Sequence, residues 1–112
     1  MTDLAQKKCK PCEGGTAPMT RAAAVELLGN LNGAWQLTAD NRSLRRELAF
    51  KDFYRTMSFV NAVAHVANIE DHHPDLEVGY NYCRIAFTTH SIKGLSENDF
   101  ICAAKVDQIA LV

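Results

Sequence analysis

The sequence predicts an α+β fold in two layers, with a four-stranded antiparallel sheet and three helices packed on one of its faces. Three segments carry apolar residues at helical spacing, and a pair of short alternating segments lies between each helix and the next. The predicted order is therefore α-β-β-α-β-β-α. Consecutive short strands form hairpins, and the apolar stripes of the helices need a sheet face to cover them. The other sheet face would stay open or meet another subunit.

The length of 112 residues fits one domain with a modest core. Residues 1–19 are polar and rich in turn formers, so we expect an irregular lead-in followed by a single domain over 20–112. Thr20 is a candidate N-cap for the first helix, which should end between Gly29 and Gly33. A strand around Trp35 should pair with a second strand over Leu44–Phe50. Three charged residues of the second strand are expected to face outward: Arg45, Arg46 and Glu47.

The second helix is predicted to begin after Asp52, its candidate N-cap, and to run to about Asn68. It is the longest periodic segment and the expected core helix. Its first apolar row is Phe53, Met57, Val60 and Ala64, widened by Phe59, Val63, Val66 and Ala67.

A second hairpin is predicted after residue 74, with Tyr80-Asn81 as its turn. Its second strand, Tyr82–Thr89, should place Cys83, Ile85 and Phe87 on one face. Ser96-Glu97-Asn98-Asp99 has the S-x-x-[DE] spacing of a capping box and opens the third helix.

Adjacent histidines at the end of the second helix are the main functional signal. Asp71-His72-His73-Pro74 lies where a proline directs the chain out of the helix, because Pro74 favours an extended His73. The strand that follows can bring His90 to the same rim, and Asp99, close to His90 in sequence, could orient its imidazole. Three histidines and an acid around one pocket suit proton transfer with a small polar substrate.

Other interpretations of these residues stay open at this stage. The His-His-Pro stretch could be an exposed corner, Asp99 could act only as the capping-box acid, and three histidines with a carboxylate could hold zinc. Cys9 and Cys12 form a C-x-x-C that could be a redox pair, half of a zinc site or part of a structural strap.

Composition excludes several classes of function. The formal net charge of −1 and the absence of a basic run argue against direct binding of nucleic acid. No apolar run is long enough for a membrane span, and the N-terminus has no hydrophobic segment typical of a secretory signal. We therefore expect a cytoplasmic protein.

Several motifs together resemble the pterin-4a-carbinolamine dehydratase family. They are Asp71-His72-His73-Pro74, Tyr80-Asn81, Thr89-His90, Gly94 to Asp99, Phe50 to Phe53, Phe59-Val60 and Trp35. The resemblance covers roughly residues 20–110. It implies a dehydratase that converts 4a-hydroxytetrahydropterin to quinonoid dihydropterin and so recycles the cofactor of aromatic amino-acid hydroxylases. It also implies a homo-oligomer, either a dimer or a tetramer, with a hydroxylase as a potential partner. The alternative is a non-catalytic regulatory module, such as a dimerisation cofactor, on the same fold.

The resemblance maps the family's three histidines onto His72, His73 and His90 and its acid onto Asp99, and the chemistry of the reaction suggests a role for each residue. His72 and His73 would carry the proton transfers, while His90, oriented by Asp99, would hold the pterin. Asp71 and Pro74 would support the histidines, and Thr88, Thr89 and Glu70 are weaker candidates for substrate contacts. No metal and no cofactor is expected, since the pterin is the substrate. Asn68 is a departure, because the family often has an acid four residues before the first histidine.

Overall fold

The computed structural model describes residues 4–11 and 16–110 and has the α+β architecture that the sequence predicts. Four antiparallel strands form one sheet in the order β1-β2-β4-β3. The elements are α1 (Arg21–Leu28), β1 (Gln36–Leu37), β2 (Leu44–Ala49), α2 (Phe53–Glu70), β3 (Asp75–Val78), β4 (Tyr82–Phe87) and α3 (Glu97–Ala110). Short 3₁₀ turns occur at Leu4–Gln6 and His90–Ile92. Within the described ranges, no helix combines the length and apolar character needed to cross a membrane.

The helix starts follow the capping residues that the sequence indicates. Thr20 accepts a hydrogen bond from the backbone N–H of Ala23, and Asp52 accepts one from that of Arg55. Each cap satisfies an N–H group that has no partner within its own helix. The caps therefore fix where α1 and α2 begin, and α2 runs two residues beyond Asn68, to Glu70.

Alternation along the central strands separates the buried face of the sheet from the open one. Cys83, Ile85 and Phe87 of β4 are buried, as predicted. The expected outward position of Arg46 is wrong. Arg46 shares the inner face with Leu44 and Leu48 because side chains two residues apart lie on the same side of a strand. Its guanidinium donates to Asp107 of α3 at 2.5 Å and lies 6.0 Å from the centre of the Trp35 ring.

The buried face of α2 differs in part from the predicted row. Its buried residues are Thr56, Phe59, Val63 and Ala67. Thr56 enters the core because its hydroxyl donates to the carbonyl oxygens of Asp52 and Tyr80. The row that begins at Phe53 lies at the edge of this face, and the Phe53 side chain is 49% exposed. An apolar strip on α2 is therefore left partly uncovered.

Part of the expected lead-in packs on the domain. Leu4 and Ala5 are buried in the core, and the turn that contains them lies against α3. Further along, the N–H of Met19 donates to the carbonyl of Leu95 at 2.8 Å. A Cβ on Gly94 would approach the Pro18 ring to 2.6 Å, so Gly94 permits this close crossing.

Candidate active site

A cleft of about 680 Å³ opens at the rim where α2 ends and α3 begins. This volume is in the range of small-molecule sites. Every residue that the sequence analysis proposed for the site, except Asp99, lines this cleft: Glu70, Asp71, His72, His73, Pro74, Thr88, Thr89 and His90. The fold therefore brings the three histidines to one cavity, as the sequence indicated.

Asp71 ends α2 in a left-handed backbone conformation, with φ 51° and ψ 43°. Aspartate tolerates this region better than most residues. The backbone N–H groups of Asp71 and His72 both point to the carbonyl oxygen of Ala67. The reversal sends neighbouring side chains in different directions, so His72 is half-buried while His73 is exposed.

His72 pairs with the carboxylate of Asp99. Its Nε2 lies 2.6 Å from Oδ1 of Asp99, and the two side chains are 11% and 0% exposed. The imidazole also stacks on the ring of Phe87, with 6.2 Å between ring centres and 10° between ring planes. His72 is thus held both by a charged acceptor and by an aromatic surface.

The other carboxylate oxygen of Asp99 is occupied as well. Oδ2 accepts hydrogen bonds from the Thr89 hydroxyl at 2.8 Å and from the backbone N–H of Ser96 at 3.0 Å. The Ser96 contact is the backbone half of the predicted capping box. Because the Thr89 proton goes to Asp99, the Ser96 hydroxyl, 2.7 Å away, donates to the Thr89 oxygen.

These hydrogen bonds define the tautomer of His72. A carboxylate that accepts from Thr89 and Ser96 acts as an acceptor towards His72 too, so Nε2 carries a proton. Nδ1 is then the ring nitrogen that can exchange a proton with a bound molecule. Asp99 thereby fixes the orientation of the His72 ring.

The structure corrects the expected pairing of Asp99 with His90. Both oxygens of Asp99 are engaged by His72, Thr89 and Ser96. The inner face of β4 continues past its last residue, so Thr89 is buried beside Asp99 and His90 is exposed. Proximity in the sequence favours His90 as the partner of Asp99, whereas alternation along the strand indicates Thr89.

The two exposed histidines are held more loosely than His72. His73 Nε2 lies 3.4 Å from Oδ1 of Asn68, one helical turn earlier on α2. His90 begins the 3₁₀ turn that ends at Lys93, whose backbone is left-handed with φ 54°. A bridge between Thr89 and Gly94 closes this loop and keeps His90 at the cleft.

The weaker substrate candidates already have partners in the protein. The Thr88 hydroxyl donates to the carbonyl of Arg42 at 2.5 Å, and that of Thr89 is committed to Asp99. The Thr89 backbone pairs with Ile92 and Gly94. Glu70 accepts the N–H of Cys9 through Oε1 and lies 3.8 Å from Lys105 through Oε2. These contacts of Thr88, Thr89 and Glu70 support the cleft, and their contacts with a substrate stay a prediction.

One wall of the cleft is formed by residues that were not predicted from the sequence. Cys9, Lys10, Pro11 and Asn98 line it beside the histidines. Leu4, an apolar residue in a polar stretch, was the available signal that this segment docks on the domain.

Cys12, the second cysteine of the C-x-x-C, lies outside the described residues, and Cys9 contacts Cys102 of α3 instead. In the part of the chain that the structure covers, no three His, Cys, Asp or Glu side chains are grouped as metal ligands.

Fold and site together define a small α+β protein with a histidine-lined cleft suited to acid–base chemistry. The family described as "Pterin 4 alpha carbinolamine dehydratase" matches residues 17–109. The chain belongs to this family.

Similar proteins agree with that assignment. The chain is 61% identical over 109 residues to a protein of Nitrosomonas eutropha provisionally named pterin-4-alpha-carbinolamine dehydratase, with 97% of this chain and 95% of the relative covered. A Legionella pneumophila protein with the same provisional name is 56% identical over 108 residues, with 96% of each chain covered.

Two solved structures share the fold. One, from Brucella melitensis, is titled a transcriptional coactivator/pterin dehydratase and has a TM-score of 0.78 at 32% identity, covering 83% of this chain and 98% of its own. The other is titled a pterin dehydratase-like protein identified as a RuBisCO assembly factor in the alpha-carboxysome. Its TM-score is 0.62 at 25% identity, and the match covers 70% of this chain and 92% of the other chain.

Proposed function

We propose that this protein dehydrates 4a-hydroxytetrahydropterin to quinonoid dihydropterin, and so returns the spent cofactor of aromatic amino-acid hydroxylases to use. The carbon–oxygen bond at C4a breaks, the hydroxyl leaves as water, and a ring nitrogen loses a proton as a C=N bond forms. The reaction needs an acid for the leaving oxygen and a base for the ring nitrogen. It needs no redox partner.

The observation that carries the proposal is the buried Asp99 that holds His72 in a cleft shared with two further histidines. Structural stability alone does not require a buried carboxylate in this place, because taking a charge out of water is costly unless it is paired. A carboxylate paired with an imidazole at a cavity wall is instead a recurrent way to prepare a histidine for proton transfer.

The contacts of the three histidines suggest different roles. His72 is the base, since Asp99 stabilises its imidazolium and leaves Nδ1 to take the proton from the ring nitrogen. His73 is exposed and protonates the leaving hydroxyl. His90, which lines the same cleft, holds the pterin and aligns the other two groups. Positioned groups of this kind contribute roughly 10²–10⁴-fold each to the rate.

A binding or regulatory role on the same fold is the second candidate. The titles of the two solved structures name a transcriptional coactivator and a RuBisCO assembly factor, so relatives of this fold are linked with roles in binding. The cleft favours the enzyme for this chain, because a surface that only binds a protein partner has no use for a tautomer fixed by a buried acid.

The test is turnover of enzymatically generated 4a-hydroxytetrahydropterin by the wild type and by His72→Ala, His73→Ala and His90→Ala. His65→Ala is the matched control, because His65 is an exposed histidine of α2 that does not line the cleft. We expect each cleft variant to lose at least about tenfold in kcat/KM with unchanged circular dichroism, and the control to match the wild type. A wild type no faster than buffer would contradict the enzyme and favour the binding role.

Self-association is part of the proposal. Phe53, Met57, Val60 and Ala64 recur every three or four residues along α2, a spacing typical of helices that pack on helices. Phe53 stacks on Tyr80 with 6.3 Å between ring centres, and both rings are largely exposed at 49% and 65%. We infer that a second copy of the chain covers this row, in a dimer or a tetramer.

A further inference from the structure

Three side chains of α3 anchor the N-terminal segment, which we define as residues 4–11. Lys105 Nζ donates to the carbonyl of Ala5 at 2.8 Å, Cys102 lies against Cys9, and Asn98 exchanges hydrogen bonds with the backbone of Lys10. The contacts follow one face of α3, and the segment runs in the opposite direction to the helix. The segment is therefore docked along α3 before it reaches the cleft.

The middle anchor consists of two thiols. The Sγ atoms of Cys9 and Cys102 lie 3.5 Å apart, and the residues are 93 positions apart in the sequence. A disulfide bond is about 2.05 Å long, so the sulfurs would have to approach by about 1.5 Å. Small rotations of both side chains give such a movement, and the backbone is already held by the hydrogen bonds of Cys9 to Glu70 and of Lys10 to Asn98.

We propose that Cys9 and Cys102 form a reversible disulfide that fastens the N-terminal segment to α3 and fixes one wall of the cleft. Cys9, Lys10 and Pro11 line the cleft together with the histidines. In the reduced protein, the contacts that hold Cys9 and Lys10 to the domain are non-covalent. While the two cysteines are oxidised, the disulfide links this wall covalently to α3.

The two thiols are suited to different steps of the oxidation. Cys9 is half-buried and Cys102 is fully buried, so an oxidant reaches Cys9 first. The Cys9 thiol points to the carbonyl of Asn98 at 3.7 Å, so the Cys102 thiol donates to the Cys9 sulfur. This hydrogen bond, together with burial, raises the pKa of the Cys102 thiol, so Cys102 is the less reactive of the two thiols towards an oxidant.

Hydrogen peroxide is the oxidant in the proposed reaction. The Cys9 sulfur bonds to one peroxide oxygen, the O–O bond breaks, and a sulfenic acid and one water result. The Cys102 sulfur then attacks the Cys9 sulfur, the S–O bond breaks, and the hydroxide leaves with the Cys102 proton as a second water. The two sulfurs together lose two electrons, and the peroxide gains them. A dithiol reductant reverses the cross-link by exchange.

The experiment treats the full chain with a small excess of hydrogen peroxide and maps disulfides by mass spectrometry without reduction. We expect a Cys9–Cys102 cross-link that dithiothreitol reverses, that Cys12→Ser retains and that Cys102→Ala abolishes. Cys12→Ser is the matched control, because Cys12 is the other cysteine that the sequence places near Cys9. A bond between Cys9 and Cys12, or oxidation of Cys9 without any cross-link, would overturn the proposal.

Amide hydrogen exchange supplies a second measurement that needs no variant. The N–H groups of Cys9 and Lys10 bond to Glu70 and Asn98, so their exchange reports release of the segment. Oxidation should slow both at least tenfold and raise the melting temperature by about 10 °C, because the cross-link closes a long loop. Unchanged exchange in a protein shown to carry the cross-link would mean that the bond does not fasten the segment.

Discussion

His72 Nε2 and Asp99 Oδ1 lie 2.6 Å apart, although 27 positions separate the two residues in the sequence. The end of α2 supplies the imidazole and the first turn of α3 supplies the acid. Both helices pack against the sheet, so their relative position is set by the core beneath the cleft. The distance between His72 and Asp99 at the cleft therefore depends on the packing of the whole domain.

Asp99→Asn tests this pairing directly. The amide keeps the size of the side chain but neither stabilises an imidazolium nor fixes the same tautomer of His72. We expect kcat to fall roughly 10²–10⁴-fold in the dehydratase assay while far-ultraviolet circular dichroism stays unchanged. Glu97→Gln is the control, because Glu97 is an exposed acid in the same turn whose ion pair with Lys7 is worth little. An equal loss in the control variant would show that the effect is not specific to the pair.

Thr89→Val tests the hydrogen bonds that hold Asp99 in place. Valine has the same shape as threonine but no hydroxyl. Oδ2 of Asp99 then keeps only the hydrogen bond from the Ser96 N–H, and the Ser96 hydroxyl loses its acceptor. We expect the free energy of unfolding in urea to fall by about 1–3 kcal/mol, with a smaller loss in Thr89→Ser, which keeps the hydroxyl. Equal losses in both variants would show that the methyl group, rather than the network, stabilises this position.

The elements that local rules determine were predictable from the sequence. Thr20 and Asp52 cap their helices as expected, and β4 buries the predicted face, because capping and alternation depend on near neighbours. The pairing of Asp99 with His72 was not predictable in the same way. It depends on the left-handed turn at Asp71, which decides which histidine of the pair turns inward.

The N-terminal wall of the cleft could not be predicted from the sequence, for a related reason. Its docking consists of isolated contacts between residues far apart in sequence, such as Lys105 with Ala5 and Cys102 with Cys9. A segment without regular periodicity gives no sign of which surface it will cover. The sheet and helices could therefore be predicted from the sequence. The non-local contacts that complete the cleft could be identified only from the structure.

Asp71→Val tests the left-handed turn. A β-branched side chain at φ 51° is strained by roughly 1–2 kcal/mol, and glycine is not. We expect Asp71→Val to lower the free energy of unfolding by about that amount and to reduce kcat through misplacement of His72. Asp71→Gly should be at least as stable as the wild type. Equal stabilities of the two variants would contradict a conformational role for this residue.

Asn68→Glu tests the position where the family often has an acid. Asn68 Oδ1 lies 3.4 Å from His73 Nε2, so an ionised glutamate there favours the protonated imidazole. If His73 is the acid, activity persists to higher pH, and we expect the alkaline limb of the pH–rate profile to move to higher pH. Asn61→Glu, on the same helix but away from the cleft, is the control. A profile that does not move would count against His73 as the acid.

Ala64→Glu tests the proposed contact between copies of the chain. Ala64 lies in the partly exposed row of α2 that begins at Phe53, and glutamate is a good helix former, so the helix itself is preserved. A charge buried between two apolar rows is strongly unfavourable, and we expect light scattering to show a smaller assembly than the wild type forms. Ser58→Glu adds the same charge to an exposed position outside the row and should keep the wild-type mass. A loss of mass in both variants would point to net charge as the cause, and a monomeric wild type would contradict self-association altogether.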